Sequence, residues 1–324
     1  MKVAITGVSG YLGGLVAKAL EKDPDVESIL GLDIVAPKSP VSKLSFQKVD
    51  VRYGNFAKLL AGQDVVYHLA FIVEPPKSLT MADVDDINIE GSRRVFTGAI
   101  EAGVQKIIYS SSAAAYGAHP DNPIPMVEDT PLRPNDNWYY SRTKGVVELL
   151  LDDLQQKNPE TIIIRFRPSI FLGPTINNSV GKSLTGKALV CVNKGLKVDF
   201  GWDEDIVDAF CLALGYDSSD TFNLTGNGPL TTHDMGLLLG KPVLHLNPKW
   251  VLPLGRLAVR MKLLAPGMLE WLEVAVSGPF VIDTEKARNK LGWKPKYDAT
   301  QTLVKFARCC ELPVKGTGRL MEVD

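Results

Sequence analysis

The sequence predicts an α/β fold, with a doubly wound parallel sheet in the first half of the chain and a smaller C-terminal region after it. Two observations support this prediction: short β-branched runs recur, and helical patterns separate most of them. The runs lie at 3–6, 28–33, 45–49, 64–69, 106–111 and 161–165. Because helices between successive strands cover both faces of a sheet, the strands are expected to be parallel.

Helical patterns fill most of the gaps between these runs. One pattern spans 11–20, and a second spans 89–102, where Val95, Ala99 and Ala102 share a face at helical spacing. A third helix opens within the stretch WYYSRTK at 138–144 and ends near residue 158. Strands and helices therefore alternate through the first half of the chain.

After Pro174 this alternation gives way to a stretch rich in Gly, Asn and Ser. A helix is then expected at 205–214, a short strand at 221–224 and a terminal helix at 299–310. We therefore expect residues 1–171 to form a first domain, with 205–225 returning to it. Residues 172–324 are expected to form mainly the second region.

Composition and charge exclude several classes of function. The 324-residue chain carries 36 basic and 37 acidic residues and lacks the basic stripe typical of nucleic-acid binding. Its four cysteines are too few and too unevenly spaced for a disulfide framework, so we expect reduced thiols in the cytoplasm. Its four histidines are scattered, without acidic partners at ligand spacing, and predict no metal site.

The sequence also predicts no integral membrane association. The N-terminus begins directly as a strand, without the pattern of a secretion signal. The most apolar later region, 250–282, is interrupted by charged residues and prolines, so it is not expected to span a bilayer. This region is expected instead to line an apolar pocket or to contact a membrane surface.

A glycine-rich loop lies between the first strand and the first helix. Gly7, Gly10 and Gly13 follow the spacing GxxGxxG, and Tyr11 and Leu12 open the helix. Glycines allow a tight turn here and let a pyrophosphate approach the backbone N–H groups of the helix N-terminus. The loop therefore predicts a Rossmann-type, dinucleotide-binding first domain.

The ends of the next strands suggest how an adenosine would be held. Asp33 ends the second strand about twenty residues past the loop, where a carboxylate can accept hydrogen bonds from the ribose hydroxyls. This choice favours NAD over NADP, although nearby Lys38 keeps NADP open. Asp50 and Val51 follow the third strand, where a carboxylate and a backbone amide could contact the adenine edge.

Leu69 and Ala70 end the fourth strand, where a small side chain leaves room for the cofactor to cross the carboxyl end of the strand. The fifth strand runs into SSSAAAYG, which begins at Ser110. A serine in that segment is placed to hydrogen-bond a substrate oxygen as negative charge develops on it. These two strand ends therefore frame the expected reaction site.

Tyr140 and Lys144 are candidates for proton transfer. Residues four apart share a helix face, so Lys144 neighbours Tyr140, whereas Tyr139 is directed elsewhere. A nearby ammonium and a positive nicotinamide ring both favour the phenolate, so we expect the pKa of Tyr140 to be lowered towards neutral pH. Tyr140 would then act as a general acid or base.

Taken in order, these motifs resemble the extended short-chain dehydrogenase/reductase superfamily, in its NAD-dependent epimerase/dehydratase group. The matching signals are GVSGYLG, Asp33, SSSAAAYG, YSRTK and the segment RPSIFLGP at 167–174. The resemblance implies that Ser112 positions the substrate, Tyr140 is the acid/base, and Lys144 is its electrostatic and ribose-binding partner. It further implies that Asn88 supports the active site.

The resemblance implies NAD as cofactor, an NAD-binding first domain and a substrate-binding C-terminal region. It also implies a homodimer formed through a bundle of two helices from each subunit. The expected cofactor contacts are Gly7, Gly10, Tyr11, Leu12, Gly13, Asp33, Asp50, Val51, Leu69, Ala70, Asn88, Ser110, Tyr140, Lys144, Arg167, Pro168 and Ile170. The expected contacts with a small-molecule substrate are Ile72, Ser112, Ala113, Trp138 and Tyr140.

Three functions are compatible with these motifs. The first is an NAD-dependent oxidoreductase that moves hydride between nicotinamide and a secondary alcohol or ketone, and the second is a nucleotide-sugar epimerase or dehydratase that retains its cofactor. Where the epimerases resemble one another in an Arg-bearing segment, this chain has VDFGWDED at 198–205, which disfavours a diphosphate. The apolar region around Trp250, Leu254 and Leu257 would instead suit a lipophilic substrate.

The third possibility is a non-catalytic NAD-sensing or scaffold protein. Such a protein has no need of the acid/base pair, so the joint presence of Ser112, Tyr140 and Lys144 argues against it.

Overall fold

The computed structural model describes residues 1–76, 78–263 and 266–315, and these residues form thirteen strands and twelve α-helices. The strands are β1 (Lys2–Thr6), β2 (Ser28–Asp33), β3 (Leu44–Lys48), β4 (Val65–His68), β5 (Lys106–Ser110), β6 (Ile162–Pro168), β7 (Ile170–Leu172), β8 (Leu189–Cys191), β9 (Lys197–Val198), β10 (Phe200–Trp202), β11 (Asp220–Leu224), β12 (Leu230–Thr231) and β13 (Val243–His245).

The helices are α1 (Tyr11–Leu20), α2 (Phe56–Leu59), α3 (Met81–Asp85), α4 (Gly91–Glu101), α5 (Tyr139–Lys157), α6 (Ser179–Thr185), α7 (Asp203–Leu212), α8 (Thr232–Leu238), α9 (Pro248–Arg260), α10 (Pro266–Ser277), α11 (Glu285–Lys290) and α12 (Ala299–Cys309). A π-helical turn, Asp86–Glu90, joins α3 to α4. Short 3-10 turns span Ala113–Tyr116 and Ala213–Gly215.

The main sheet has seven parallel strands in the order β11-β6-β5-β4-β1-β2-β3. The central strands are continuous apolar runs; every residue of β4 is buried, because helices cover both faces of the sheet. The strand order reverses between β1 and β4, which opens a crevice at the carboxyl ends of the strands. The predicted Rossmann-type doubly wound sheet is confirmed.

Two hydrophobic cores lie on opposite faces of this sheet. On one face α1 and α7 pack together, with Val16, Leu20 and Phe210 fully buried. On the other face α2, α4 and α5 cover the sheet through Phe96 and Leu151, among others. Together the two cores fix the ends of β1, β4 and β5, from which the site is built.

The C-terminal region adds three two-stranded sheets, which pair β7 with β10, β8 with β13 and β9 with β12. A third core lies there, formed by Leu172, Phe200, Trp202, Leu303 and Phe306 with their neighbours. The chain returns to the main sheet in between, because β11 pairs with β6 and α7 packs on α1.

Three local features differ from the sequence-based expectations. The helix expected at 205–214 begins at Asp203, whose carboxylate accepts the N–H of the next residue, Glu204, at 2.8 Å. A helical turn, α3, precedes the helix expected from 89, because Thr80 and Asp83 form a capping box that starts it earlier. The last strand of the first half extends beyond residue 165 to Pro168.

None of the described helices combines the length and the hydropathy needed to cross a membrane. Within the same residues, no cluster of three or more His, Cys, Asp or Glu side chains has the geometry of a metal site.

Candidate active site

The glycine loop packs directly against the end of β4. Gly7 has φ 73°, and a Cβ atom there would lie 2.5 Å from the backbone nitrogen of Ala70. A Cβ atom on Gly13 would lie 2.1 Å from the carbonyl oxygen of Gly7. Only glycine fits both positions, so the loop stays tight and a ligand can approach the start of α1 closely.

The N-terminus of α1 is suited to an anion. Gly10 caps the helix without a side chain, and no carboxylate lies in the first turn. The first N–H groups of a helix carry partial positive charge and need acceptors. The loop and helix therefore fit the pyrophosphate of a dinucleotide.

Asp33 lies beside this loop. Its Oδ2 accepts the N–H of Ser9 at 3.0 Å, and its Oδ1 accepts the N–H of Ile34 at 2.7 Å. These bonds hold the carboxylate at the end of β2, close to where the adenosine ribose would follow the pyrophosphate.

Asp50 and Val51 already contact other residues of the protein. The Asp50 carboxylate forms an ion pair with Arg52, with 2.7 Å between Oδ2 and Nη2, and hydrogen bonding to Arg52 lowers the pKa of Asp50. The Val51 side chain packs so closely on α4 that a Cβ atom on Gly91 would lie 2.6 Å from its Cγ2. Any contact of Asp50 with adenine would have to share the carboxylate with Arg52.

A cavity of about 420 Å³ extends along the carboxyl ends of β1, β4 and β5. It brings together thirteen of the sequence-predicted residues. These are Gly7, Gly10, Tyr11, Leu12, Gly13, Leu69, Ser110, Ser112, Trp138, Tyr140, Lys144, Pro168 and Ile170. The predicted residues outside its lining are Asp33, Asp50, Val51, Ala70, Ile72, Asn88, Ala113 and Arg167.

Ser112 and Tyr140 face each other in this cavity. The Ser112 hydroxyl accepts the N–H of Ala114 at 3.1 Å, which fixes it at the start of the 3-10 turn, and it hydrogen-bonds the Tyr140 hydroxyl. Burial raises the pKa of Tyr140, and the Ser112 hydrogen bond lowers it in part. The pair can therefore hold and transfer one proton at a substrate oxygen placed between them.

Lys144 is directed to β5 and not to the phenol. Its Nζ donates to the carbonyl of Ser110 at 2.6 Å and to the hydroxyl of Tyr109 at 3.2 Å, and it lies 3.5 Å from the ring centroid of Phe71. Burial lowers the pKa of Lys144 well below its usual value. In the protein by itself burial raises the pKa of Tyr140, opposite to the predicted direction. The predicted lowering also involves the positive nicotinamide ring, so for the protein with NAD bound it stays a prediction.

Asn88 supports the cavity from behind. It is fully buried, its Oδ1 accepts the N–H of Ile72 at 2.8 Å, and its Nδ2 donates to the carbonyl of Ile72 at 3.0 Å. Both backbone groups of Ile72 are therefore fixed. In the same segment Phe71 and Val73 line the cavity, where Ile72 was expected.

Arg167, a predicted cofactor contact, belongs to a buried ionic network. Its Nε and Nη2 donate to Glu148 at 2.8 and 3.1 Å, and its Nη1 donates to the Tyr116 hydroxyl at 2.9 Å. Arg165 also pairs with Glu148, at 3.2 Å. The guanidinium of Arg167 is thus fully occupied behind the cavity.

Glu148 was missed by the sequence analysis. It is fully buried, and its Oε1 accepts the hydroxyl of Ser111 at 2.6 Å, which anchors the residue next to Ser112. Burial acts to raise its pKa, but Arg167 and Arg165 outweigh this and lower the pKa to about 2. The detectable signal was its spacing: Glu148 lies four residues after Lys144, on the same helix face.

A second wall of the cavity is aromatic and adjoins Tyr140. Phe171 stacks on Tyr11 with 6.4 Å between ring centroids, and Phe280 packs on Trp138 at 6.3 Å. Ala113 is buried in the hydrophobic cluster that contains Phe280. Among the described residues that line the cavity, Lys144 is the one lysine or arginine.

Trp250, Leu254 and Leu257 do not contribute to this wall. Their side chains are 73%, 63% and 53% exposed, so the expectation that they line an apolar pocket is wrong. The other possibility raised for this region, contact with a membrane surface, stays a prediction.

The fold and the cavity together define an NAD-binding protein of the doubly wound class. A family model described as the NAD dependent epimerase/dehydratase family matches residues 3–225. The chain belongs to this family, and its cofactor is NAD.

Similar curated proteins include an uncharacterised protein of Mycobacterium tuberculosis, 22% identical over 94% of this chain and 83% of that protein. A second is the 3 beta-hydroxysteroid dehydrogenase/Delta 5-->4-isomerase of Vaccinia virus, 25% identical over 46% of this chain and 44% of the viral protein.

Solved structures of the same fold include a UDP-N-acetylglucosamine 4-epimerase from Methanobrevibacter ruminantium, with a TM-score of 0.74 and 20% identity over 96% of this chain and 98% of that one. A UDP-glucuronic acid 4-epimerase from Bacillus cereus in complex with NAD has a TM-score of 0.71 and 20% identity over 95% of this chain and 99% of that one.

Proposed function

We propose that the protein is an NAD-dependent oxidoreductase that moves hydride between nicotinamide and a secondary alcohol or ketone on a lipophilic substrate. The observation that carries this proposal is the composition of the cavity. The lining beside Ser112 and Tyr140 includes the aromatic rings of Trp138 and Phe280, and Lys144, the one cation among the described lining residues, is buried against β5. Such a wall favours apolar rings over phosphate groups.

The roles of the residues follow from their positions. NAD supplies the hydride acceptor and, when oxidised, a positive ring that favours the phenolate of Tyr140. Ser112 orients the substrate oxygen through its hydroxyl, and Tyr140 takes or gives the hydroxyl proton. Phe71, packed edge-on against Tyr140 with 5.8 Å between centroids, helps to exclude water from the phenol.

The likeness to the viral 3β-hydroxysteroid dehydrogenase supports the same substrate class, since a 3β-hydroxysteroid is an apolar secondary alcohol. The likeness covers less than half of either chain, so it supports the class of substrate and not the individual compound.

The second candidate is a nucleotide-sugar epimerase or dehydratase, which the solved epimerase structures favour. Such a substrate carries a diphosphate, for which arginine is the common partner. The sequence holds no arginine between Arg167, which is occupied, and Arg256, which lies on α9. This absence favours the lipophilic substrate.

The test is a paired assay of the purified protein with NAD. One arm offers a 3β-hydroxysteroid as the probe alcohol and monitors NADH, and the other offers UDP-glucose and UDP-N-acetylglucosamine and monitors epimerisation. Net NADH formation with the steroid and no epimerisation is expected. Epimerisation without net NADH would establish the second candidate instead.

A cytoplasmic homodimer stays a prediction. The four cysteines are unpaired, which suits reducing surroundings, and Leu149 on α5 is 64% exposed, which suits a helical interface. Sedimentation of the wild type and of Leu149→Glu at matched concentrations tests the dimer: the variant is expected to be monomeric.

A further inference from the structure

The helix α9 carries an exposed apolar stripe. Trp250, Leu254, Leu257 and Met261 follow one another at spacings of four, three and four, which places them on one face. Their exposed fractions are 73%, 63%, 53% and 60%. Contiguous exposed surface of this kind marks an interaction site more often than a chance distribution of side chains.

The opposite face of α9 is already packed. Gly255 is buried, and a Cβ atom on it would lie 2.9 Å from Cδ1 of Leu269, so α9 lies close against α10. The helix therefore has two apolar faces, one covered by α10 and the other exposed. Packing within the protein explains only the first of them.

Cations lie along one edge of the stripe. Lys249, Arg256 and Arg260 are spaced by seven and four residues, which aligns them on a flank of the helix, and Lys262 follows its end. Arg256 pairs with Glu273 at 2.9 Å and is still 62% exposed. The stretch 246–263 contains no aspartate or glutamate.

We propose that α9 docks the protein on the surface of an anionic phospholipid bilayer. Trp250 and the leucines enter the boundary between headgroups and acyl chains, and the cations contact lipid phosphates. Amphipathic helices with Trp and Leu on one face and Lys or Arg beside it bind membranes in this way. A second copy of this chain fits less well, because its own α9 offers these cations no carboxylate.

The docked face lies one helix away from the cavity. Val274 of α10 belongs to the same hydrophobic cluster as Trp138 and Phe280, which line the aromatic wall. Docking through α9 would therefore hold that wall near the bilayer surface. This inference does not depend on the proposed reaction.

Vesicle co-sedimentation of the full chain tests the proposal. Wild-type protein is expected to bind vesicles of phosphatidylcholine with phosphatidylglycerol and to bind phosphatidylcholine alone more weakly. Leu254→Gln/Leu257→Gln is expected to weaken binding by about tenfold or more, because each leucine loses its apolar contact. The matched control is Leu237→Gln/Leu212→Gln, which changes leucines that are 61% and 42% exposed elsewhere.

A variant that removes positive charge separates the electrostatic contribution to vesicle binding from the apolar one. Lys249→Gln/Arg260→Gln is expected to reduce the preference for anionic vesicles by roughly tenfold. The control, Lys187→Gln/Lys194→Gln, removes two exposed lysines outside α9 and should bind as the wild type does. All variants should retain NAD affinity, which verifies that they are folded.

A third measurement requires only a conservative change. Lipids brominated near the headgroup should quench Trp250 in the wild type, and Trp250→Phe should lose that quenching. Failure of wild-type protein to bind anionic vesicles, or binding that survives both leucine changes, would overturn the proposal. The proposal would also be overturned if the wild type does not bind vesicles but forms a dimer that Leu254→Gln/Leu257→Gln dissociates. The apolar stripe would then contact a second copy of the chain.

Discussion

Each wall of the cavity is backed by a buried carboxylate, and the two carboxylates are held in opposite ways. Behind Ser112, Glu148 is paired with Arg165 and Arg167, and its pKa is lowered to about 2. Behind the aromatic wall, burial raises the pKa of Asp199 to about 7, while a hydrogen bond from the N–H of Ile282, at 2.9 Å, lowers it in part.

This difference assigns the two walls different roles: the first carries the proton transfer, and the second contacts the substrate. The wall with Ser112, Tyr140 and Lys144 is held by Glu148 and its two arginines, whose charges persist across the usual pH range. The wall with Phe280 rests on a carboxylate that changes its charge near neutral pH. We therefore expect changes to the first wall to affect turnover and stability, and changes to the second to affect substrate affinity and the pH dependence of stability.

The largest expected effect is on turnover. Tyr140→Phe removes the proton-transferring hydroxyl and should lower kcat by about 10²- to 10⁴-fold while NAD affinity is retained. Steady-state kinetics and NAD titration measure both. Tyr139→Phe is the matched control, because the Tyr139 hydroxyl donates to the carbonyl of Val73 and not to Ser112. The reverse result, an inactive Tyr139→Phe beside an active Tyr140→Phe, would reassign the acid/base.

The next effect is on folding. Glu148→Gln leaves the buried guanidinium of Arg167 without its carboxylate, whereas Arg165 keeps its ion pair with Asp152, and should reduce the free energy of unfolding by about 3–5 kcal/mol. Chemical denaturation measures it. The control is Asp153→Asn on the same helix, whose exposed ion pair with Lys157 is worth less than about 1 kcal/mol. Equal small losses for both variants would show that the network does not stabilise the first wall.

Asp199 should make stability depend on pH. The carboxyl titrates at about 4 in the unfolded chain and about 7 in the folded one, so the folded protein binds more protons between these values. Its contribution to stability is therefore greatest at low pH and is lost as pH rises from about 4 to about 7. Asp199→Asn should remove this decline, which amounts to at most about 4 kcal/mol. Denaturation midpoints at several pH values measure it; an identical pH profile in both proteins would contradict the assignment.

The smallest expected effect is on substrate affinity. Phe280→Ala removes one aromatic contact from the second wall and should raise KM for a lipophilic alcohol by about tenfold, since burial of a phenylalanine is worth about 1.5–3 kcal/mol. Phe280→Leu should recover part of the loss, and NAD affinity should not change. If KM for the steroid probe stays constant, the substrate does not contact this wall.

The first wall was largely predictable from the sequence, because its residues lie at short spacings. Gly7, Gly10 and Gly13 lie in one loop, and Tyr140 and Lys144 lie in one helical turn, so local geometry alone brings them together. What spacing could not supply was the direction of the Lys144 ammonium, which depends on the carbonyl of Ser110.

The second wall and the supporting network depend on contacts between distant segments. Phe171 and Phe280 are more than a hundred residues apart, and Arg167 reaches Glu148 from a different element. Local patterns do not encode such pairings. For Trp250 the apolar content could not decide between a pocket and an outward face, and only the packing of α9 on α10 showed that Trp250 is exposed.

The most direct test of the proposed reaction follows the transferred hydride. The protein would be incubated with NAD and a 3β-hydroxysteroid deuterated at its carbinol carbon, and separately with NAD and UDP-glucose deuterated at the sugar C4. Mass spectrometry would locate the label. We predict that deuterium accumulates in free reduced cofactor from the steroid. Deuterium retained in an inverted sugar, with none in free cofactor from either substrate, would contradict the account.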